Sequence, residues 1–218
     1  MTLFLDNDVL VKLASWDLLE DGITACGSEP GDVTVLPTTR FWLGLAGRKK
    51  CKYPSEVEAR LQSFLAVARV CAGDPAAGDG SLPRVDNVDP GDAILIAAAA
   101  ESAGSLLVTG DKRCILAVAT VPAFATYAAR LTGRVLCLEQ VLLRTIDRLG
   151  FEQVKQRVVG SNQLALDTSV RAAFGSGLQA DAVNACGSLE RRVRMLANEA
   201  GGMLAAQQYR FGGGEGAG

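Results

Sequence analysis

Histidine is absent from this chain of 218 residues. Its absence excludes Ser–His–Asp triads, acid–base catalysis by an imidazole, and zinc or iron sites that use histidine ligands. Any function that depends on an imidazole side chain is therefore ruled out.

Cysteine pairs and long apolar runs are also missing. The six cysteines include no C-x-x-C pair, and a chain of this length does not need a disulfide framework, so we predict buried, reduced thiols. The longest apolar run, residues 93–100, is far shorter than a membrane span. An acid at position 6 does not fit a secretory signal. These features predict a cytoplasmic protein that makes no use of a membrane.

Charge of one sign is not in large excess. The formal net charge is −2 and the pI is about 5.3, so bulk electrostatics give no indication of nucleic acid binding. Hydrophobic residues make up 49% of the chain, which is enough for one domain, or for one domain with an appendage.

Short apolar runs alternate with helical patterns over the first two thirds of the chain. The runs predict strands at 2–5, 33–36, 105–109 and 134–138. The periodic segments predict helices at 9–20, 41–45, 55–71, 90–104, from 112 onward, 151–159 and 178–208. This alternation is typical of an α/β fold with a central parallel sheet. We predict an α/β domain at 1–145, a helical C-terminal extension at 146–211 and a flexible tail at 212–218.

Acidic residues border several of these apolar runs. Asp6 and Asp8 follow the first run, Asp89 and Asp92 begin the apolar helix, and Asp111 follows the run at 105–109. Ligands of parallel sheets bind at the carboxyl ends of the strands, so acids from different elements can meet there. Clustered carboxylates repel one another unless protons or a hard cation such as Mg²⁺ or Mn²⁺ neutralise them. The pattern predicts metal-dependent phosphate or phosphodiester chemistry.

Three segments resemble the acidic motifs of PIN-domain ribonucleases, the family of the VapC-like toxins. The segments, in the same order and context as in that family, are Phe4-Leu5-Asp6-Asn7-Asp8-Val9-Leu10, Asp92-Ala93-Ile94-Leu95-Ile96-Ala97-Ala98-Ala99-Ala100 and Leu107-Val108-Thr109-Gly110-Asp111-Lys112-Arg113. The resemblance covers about residues 2–140 and leaves the C-terminal helices outside it.

The resemblance implies a three-layer α/β/α sandwich that hydrolyses RNA with Mg²⁺ or Mn²⁺. Asp6, Asp92 and Asp111 would be the catalytic metal ligands, with Asp8 and Asp89 as further carboxylates at the metal site. Thr109 would support them by bonding a neighbouring carboxylate or a water. Many bacterial members of the family are toxins that an antitoxin protein holds inactive, which makes RNA the expected substrate and an antitoxin an expected partner.

One position departs from the family pattern. PIN domains usually carry a further acid at the start of the helix after the second strand, where this chain has Arg40 and no acid. Arg40 either pairs with the acids in place of a cation or contacts RNA. The other basic residues predicted to contact RNA are Arg48, Lys49, Lys50, Lys112 and Arg113. Trp16 and Trp42 are predicted to lie in the core.

Other interpretations of the acids stay open. Asp6, Asp92 and Asp111 are each suited to cap a helix N-terminus without any shared site. The segment Asp6-Asn7-Asp8 also resembles the opening motif of haloacid-dehalogenase-like phosphatases, in which Asp6 would be the nucleophile and Asp8 the general acid. A third interpretation is a PIN-like module that binds RNA or protein without cleaving RNA. The apolar stripe of the last helix is predicted to pack within the chain or, alternatively, to join two copies as a homodimer.

Overall fold

Five parallel strands form the central sheet of the computed structural model, which describes residues 1–46, 51–72, 85–161 and 166–207. The strands are β1 (Leu3–Leu5), β2 (Val33–Val35), β3 (Arg69–Val70), β4 (Leu106–Thr109) and β5 (Val135–Cys137), in the spatial order β3-β2-β1-β4-β5. Helices flank the sheet, and the predicted three-layer α/β/α sandwich is confirmed. The two-residue strand β3 was not predicted, because its residues continue a helical apolar pattern.

Eleven α-helices lie in the described part of the chain. They are α1 (Asn7–Ser15), α2 (Leu19–Ala25), α3 (Thr39–Trp42), α4 (Ser55–Val67), α5 (Pro90–Glu101), α6 (Lys112–Thr120), α7 (Ala125–Leu131), α8 (Leu138–Leu149), α9 (Phe151–Gly160), α10 (Thr168–Phe174) and α11 (Ala182–Glu199).

Several predicted helices have other bounds in the structure, and α8 and α10 were not predicted. The helix predicted at 41–45 spans Thr39–Trp42, and the helix predicted at 55–71 ends at Val67. The helix predicted at 9–20 is divided into α1 and α2, because Asp17 adopts a left-handed backbone conformation (φ 56°) that an α-helix does not accommodate. The helix predicted to reach residue 208 ends at Glu199, and two glycines with positive φ, Gly201 and Gly202, follow it. Apolar spacing alone did not reveal either break.

The strand order reverses at the boundary between β1 and β4. From β1 the chain moves outward to β2 and β3, and it then returns to place β4 on the other side of β1. Right-handed crossovers put the helices of these two halves on opposite faces. Accordingly, α1 packs against α2 and α4, whereas α7 packs against α5 and α6. Such a reversal leaves a crevice at the carboxyl ends of the two central strands, which is the usual ligand position in this class of fold.

The C-terminal helices pack directly on the α/β part. Helix α8 contacts both α2 and α11, and residue 145 lies inside α8. The segment after α11 runs beside β5, where the Val135 amide donates to the Met203 carbonyl at 3.1 Å and the Ala205 amide donates to the Val135 carbonyl at 2.7 Å. The segment predicted as a flexible tail, 212–218, lies outside the described residues.

The core contains apolar residues of β1, β2, β4 and β5 and of most helices, whereas Val70 in β3 is exposed. Five of the six cysteines are buried, Cys51 is half-buried, and all six are free thiols, as predicted. Trp16 is fully buried as predicted, but Trp42 is 51% exposed, so the prediction of a core position for Trp42 is wrong. The apolar stripe of α11 packs inside the chain through Leu189 and Val193.

No single helix in the described residues is long and apolar enough to cross a membrane. One pair of helical segments, Lys112–Thr120 with Pro122–Leu131, reaches the required length and composition together and is bent by 85°.

Candidate functional site

Asp6 and Asp111 lie at the carboxyl ends of the two neighbouring central strands. Asp6 follows β1 directly, and its amide donates to the Val108 carbonyl of β4 at 3.0 Å. Thr109 ends β4, and its hydroxyl donates to Asp6 Oδ2 at 3.3 Å while accepting from the Asp111 amide at 3.1 Å. The predicted bond between Thr109 and a neighbouring carboxylate is confirmed. Parallel pairing and one threonine therefore bring these two acids together from distant parts of the chain.

Helix α5 brings two more acids to the same edge. Asp89 is its N-cap and accepts from the Asp92 amide at 2.8 Å, with Pro90 in the first helical position, where a missing N–H has no cost. Asp92 lies in the first turn, next to the acids at the strand ends. The apolar residues that follow, such as Leu95, Ile96 and Ala99, are buried and hold this end of the helix against the sheet.

The pKa values of these acids show that they share one electrostatic environment. Burial, followed by the charge of Asp8, raises the pKa of Asp6 to about 6. Burial, followed by the charges of Asp6 and Asp89 and a smaller effect of Asp111, raises the pKa of Asp92 to about 7. Within the described residues, no lysine or arginine forms an ion pair with Asp6 or Asp92. Asp6 is therefore repelled by Asp8 and Asp89, and Asp92 is repelled by Asp6, Asp89 and Asp111, as predicted for a carboxylate cluster.

Cys114, in α6, lies in the negative electrostatic potential of the same acids. Its thiol is buried, and the charges of Asp92, Asp111, Asp6 and Asp89 add to burial in raising its pKa far above the ordinary value. Cys114 therefore stays a neutral thiol beside the acids. The sequence gave no reason to single it out among the six cysteines.

Three of the acids also cap helices. Asp6 accepts from the Asp8 amide at 3.4 Å, and the Asp111 carboxylate accepts from the Arg113 and Cys114 amides at 2.8 and 3.2 Å. The predicted capping roles of Asp6 and Asp111 are confirmed, whereas the cap of α5 is Asp89 in place of Asp92. Capping and clustering occur together here, because the N-termini of three helices meet at one sheet edge.

Asp8 differs from Asp6, because a lysine neutralises it. Lys12 Nζ lies 2.6 Å from Asp8 Oδ2 and 2.9 Å from Asp167 Oδ2, and the lysine side chain is only 9% exposed. Asp167 is the N-cap of α10, so the C-terminal extension contributes an acid to this edge. Burial works to lower the pKa of Lys12, but its bonds to Asp8 and Asp167 outweigh burial and raise it.

Lys112 makes a second connection to the C-terminal extension. Its ammonium lies 2.5 Å from Oε1 of Glu139, which is 1% exposed in α8, and donates to the Ser169 hydroxyl of α10 at 2.9 Å. The lysine predicted to contact RNA is thus already bound to a buried carboxylate. Arg113 differs, because its side chain is 78% exposed and lies 3.7 Å from Asp111.

Arg40 does not take the place of a cation. It donates to the Leu65 carbonyl at 2.8 Å, and in the described residues it makes no ion pair with the acids. The residue of α3 that faces the site is Thr39, which is 1% exposed and donates to the buried Asn7 side chain at 2.7 Å. At the start of α3, where PIN domains usually carry the further acid, this chain therefore has a neutral hydrogen bond between Thr39 and Asn7. The predicted RNA contacts Arg48, Lys49 and Lys50 lie outside the described residues.

Two glycines give the acids room. A Cβ on Gly110 would lie 2.6 Å from Asp8 Oδ2, and a Cβ on Gly91 would lie 2.9 Å from Leu36 Cδ1 and 3.1 Å from Asp89 Oδ1. Any larger residue at position 110 would collide with the carboxylate that Lys12 binds.

The donors suit a hard cation, although their side chains do not form a closed cage. In the described residues, no three acid or cysteine side chains are close enough together to constitute a ready metal-binding group. Mg²⁺ is commonly held by one or two carboxylates, with water as its remaining ligands. Asp6 and Asp92 fit that role, because burial and, after it, the charges of neighbouring acids raise the pKa values of both.

No protein-family model, curated protein or solved structure matches this chain. The resemblance to PIN domains therefore depends on the acidic segments alone.

Several site residues were not indicated by the sequence, and two of them, Asp167 and Ser169, belong to the C-terminal extension. Asp167, Ser169 and Glu139 reach the acidic edge only through tertiary packing, and no local pattern marks them. Lys12 could have been found, because it lies four residues after Asp8 in a helix and such pairs face each other.

Proposed function

We propose that this protein is a metal-dependent ribonuclease of the PIN type that cleaves RNA phosphodiesters in the cytoplasm. The observation that carries the proposal is the meeting of Asp6, Asp111 and Asp92 at the strand-order reversal, where burial and the charges of neighbouring acids raise the pKa of Asp6 to about 6 and that of Asp92 to about 7. A cation bound at this edge would relieve the repulsion between the acids, so a cation is the ligand that this edge favours.

The residues of this chain would divide the work at such a site. Asp6 and Asp92 would hold Mg²⁺ or Mn²⁺, with Asp111 and Asp89 adding negative charge nearby. Thr109 fixes the rotamer of Asp6 through its hydroxyl. When bound, the cation would supply positive charge for the oxygens of the reacting phosphodiester and would lower the pKa of a water nucleophile. No histidine is required for this chemistry.

The decisive experiment compares the wild type with Asp6→Asn, Asp92→Asn and Asp111→Asn. Asparagine caps helices about as well as aspartate, so these variants remove charge and keep the cap. Asp181→Asn is the matched control, because Asp181 caps α11 through the Asn184 amide at 2.9 Å and is exposed. Mn²⁺ binding is followed by calorimetry and RNA cleavage on gels, with and without EDTA.

We expect Asp6→Asn and Asp92→Asn to lose metal binding and to slow cleavage by on the order of 100-fold or more, since a catalytic metal supplies several kcal/mol. The control should match the wild type. Metal binding without cleavage would point to another substrate or to inhibition by a partner such as an antitoxin. No metal binding in the wild type would contradict the proposal and favour a module that binds RNA or protein without cutting. Phosphomonoester hydrolysis with a trapped aspartyl-phosphate at Asp6 would instead indicate the phosphatase.

A further inference from the structure

Two aromatic side chains stand exposed on α3, the short helix that follows β2. Phe41 is 71% exposed and Trp42 is 51% exposed, although their neighbours Thr39 and Leu43 are fully buried. Exposed apolar patches of large side chains are uncommon on proteins and usually mark binding surfaces. We call Phe41, Trp42 and Lys52 the aromatic platform.

The aromatic platform is attached rigidly to the acidic edge. Thr39, in the same helix, donates to Asn7 at 2.7 Å, and Asn7 lies between Asp6 and Asp8 in the chain. Trp42 begins less than one helical turn, about 5 Å, beyond Thr39. Helix α3 therefore carries the platform and, through Thr39, is bonded to the residue that lies between two of the acids.

The platform combines aromatic rings with positive charge. Lys52 Nζ lies 5.0 Å from the centre of the Trp42 ring and 5.2 Å from the centre of the Tyr53 ring. Arg40, the residue directly before Phe41 in α3, is also exposed. Ring faces together with cations are the features by which proteins bind single-stranded nucleic acid, because every base stacks and every phosphate is an anion. A purely apolar partner would leave the ammonium of Lys52 without a counter-charge.

We propose that the aromatic platform is a nucleobase-stacking site, on which an unpaired base beside the cleaved phosphate lies against Phe41 and Trp42 while Lys52 meets its phosphate. This inference rests on the proposed ribonuclease function and adds to it the place where the strand is held. It also gives a reason for the exposure of Trp42, which sequence patterns put in the core.

The experiment measures binding in EDTA, so that the RNA stays intact and the result does not depend on cleavage. The probes are a short single-stranded oligoadenylate and the same strand with abasic residues, which keeps the phosphates and removes the bases. Trp42 fluorescence reports on the platform, and Trp42→Phe gives the background of the buried Trp16. The variants are Trp42→Phe, Phe41→Ala/Trp42→Ala and the control Met195→Ala, whose side chain is 63% exposed on α11.

We expect oligoadenylate to quench Trp42 and to bind Phe41→Ala/Trp42→Ala roughly 5- to 100-fold more weakly than the wild type. Trp42→Phe keeps a ring and should stay close to the wild type, as should Met195→Ala. The abasic strand should bind the wild type and the double variant equally. If the wild type shows this binding pattern but binds no Mn²⁺ and cleaves no RNA when the metal is supplied, the proposed function is contradicted and the stacking site stands.

Three results would overturn the stacking site. The first is equal affinity of the wild type for oligoadenylate and for the abasic strand. The second is unchanged affinity of Phe41→Ala/Trp42→Ala for oligoadenylate. The third is self-association in sedimentation that disappears in that double variant, which would show that the platform joins two protein chains.

Discussion

The acidic edge has two flanks that balance their charge in different ways. On the open flank, Asp6 and Asp92 face other acids, and their pKa values are raised to about 6 and about 7. On the paired flank, Lys12 binds Asp8 and Asp167, and Lys112 binds Glu139. Asp6 and Asp8 are two residues apart and belong to opposite flanks.

The difference comes from the C-terminal extension. Asp167 and Ser169 lie at the start of α10 and bind the two lysines, so the cations are held away from Asp6 and Asp92. Although burial works against ionisation of Asp167, its bonds to Lys12 and to the Val170 amide lower its pKa. Burial raises the pKa of the acids on both flanks, and their neighbours decide the outcome: the bonds of Asp167 lower its pKa, whereas nearby acids raise the pKa values of Asp6 and Asp92 further. The extension has a direct part in setting the charge of the candidate site.

The largest expected effect comes from breaking the paired flank. Lys12→Met keeps the length of the side chain and removes the ammonium, which leaves Asp167 buried without its counter-charge. Breaking one side of a buried ion pair costs about 3–5 kcal/mol, and we expect the lower end because Asp8 is 49% exposed. Urea unfolding measures the loss, and Asp167→Asn in the Lys12→Met background should recover part of it. A change below about 0.5 kcal/mol would mean that the Lys12 pairs do not hold the extension.

Crowding Asp8 should have a smaller effect. Gly110→Ala places a methyl group 2.6 Å from Asp8 Oδ2, which must move away from Lys12. We expect a loss of about 1–2 kcal/mol in the free energy of unfolding. In the Lys12→Met background the cost should fall, because the carboxylate is then free to turn. Equal cost in both backgrounds would show that the methyl group strains the backbone and not the ion pair.

The pH dependence of the free energy of unfolding should separate the open flank from the paired flank. Because the folded state raises the pKa values of Asp6 and Asp92 above the ordinary value of 3.8, it binds protons more tightly than the unfolded state. Stability should therefore fall as the pH rises from about 4 through about 7. In EDTA, we expect the unfolding midpoint to drop by at least about 3 °C between those limits, which is the shift that a loss of about 1 kcal/mol produces in a chain of this size. Asp92→Asn should flatten the fall and Asp181→Asn should not. A midpoint that rises over this range would contradict the raised pKa values.

The smallest expected effect is on the stability of Asp111→Asn. Asparagine can still accept from the Arg113 and Cys114 amides, so the cap of α6 survives. We expect the free energy of unfolding to change by less than about 0.5 kcal/mol, while Mn²⁺ affinity falls because a nearby negative charge is gone. Calorimetry and urea unfolding on the same sample measure both. A large loss of stability with unchanged affinity would make Asp111 a cap and nothing more.

The positions of the acids were readable from the sequence, because each follows a local rule. Asp6 and Asp111 end buried apolar runs, and Asp89-Pro90 opens an apolar helix. Parallel pairing then fixes where the strand ends meet, so this edge could be predicted without any long-range information. The bond from Thr109 to a carboxylate was implied by the resemblance to PIN domains, which left a bound water as the alternative partner.

The rest depends on contacts between distant segments. Nothing near Asp167 in the chain indicates that it meets Lys12, and the exposure of Trp42 depends on which side of a four-residue helix faces the core. Helical spacing also hid the break at Asp17, because a single left-handed residue leaves the apolar pattern almost unchanged. Periodicity describes which residues are buried, and it does not say against which partner.

The segment beside β5 has a consequence for how the chain is made. Residues Met203–Ala205 hydrogen-bond along β5, and the Gln140 side chain donates to the Ala205 carbonyl at 2.8 Å. During synthesis, β5 leaves the ribosome long before these residues exist. The outer edge of the sheet therefore stays open to other strands until α9, α10 and α11 have been made, which is the interval in which a nascent chain is most exposed to mispairing.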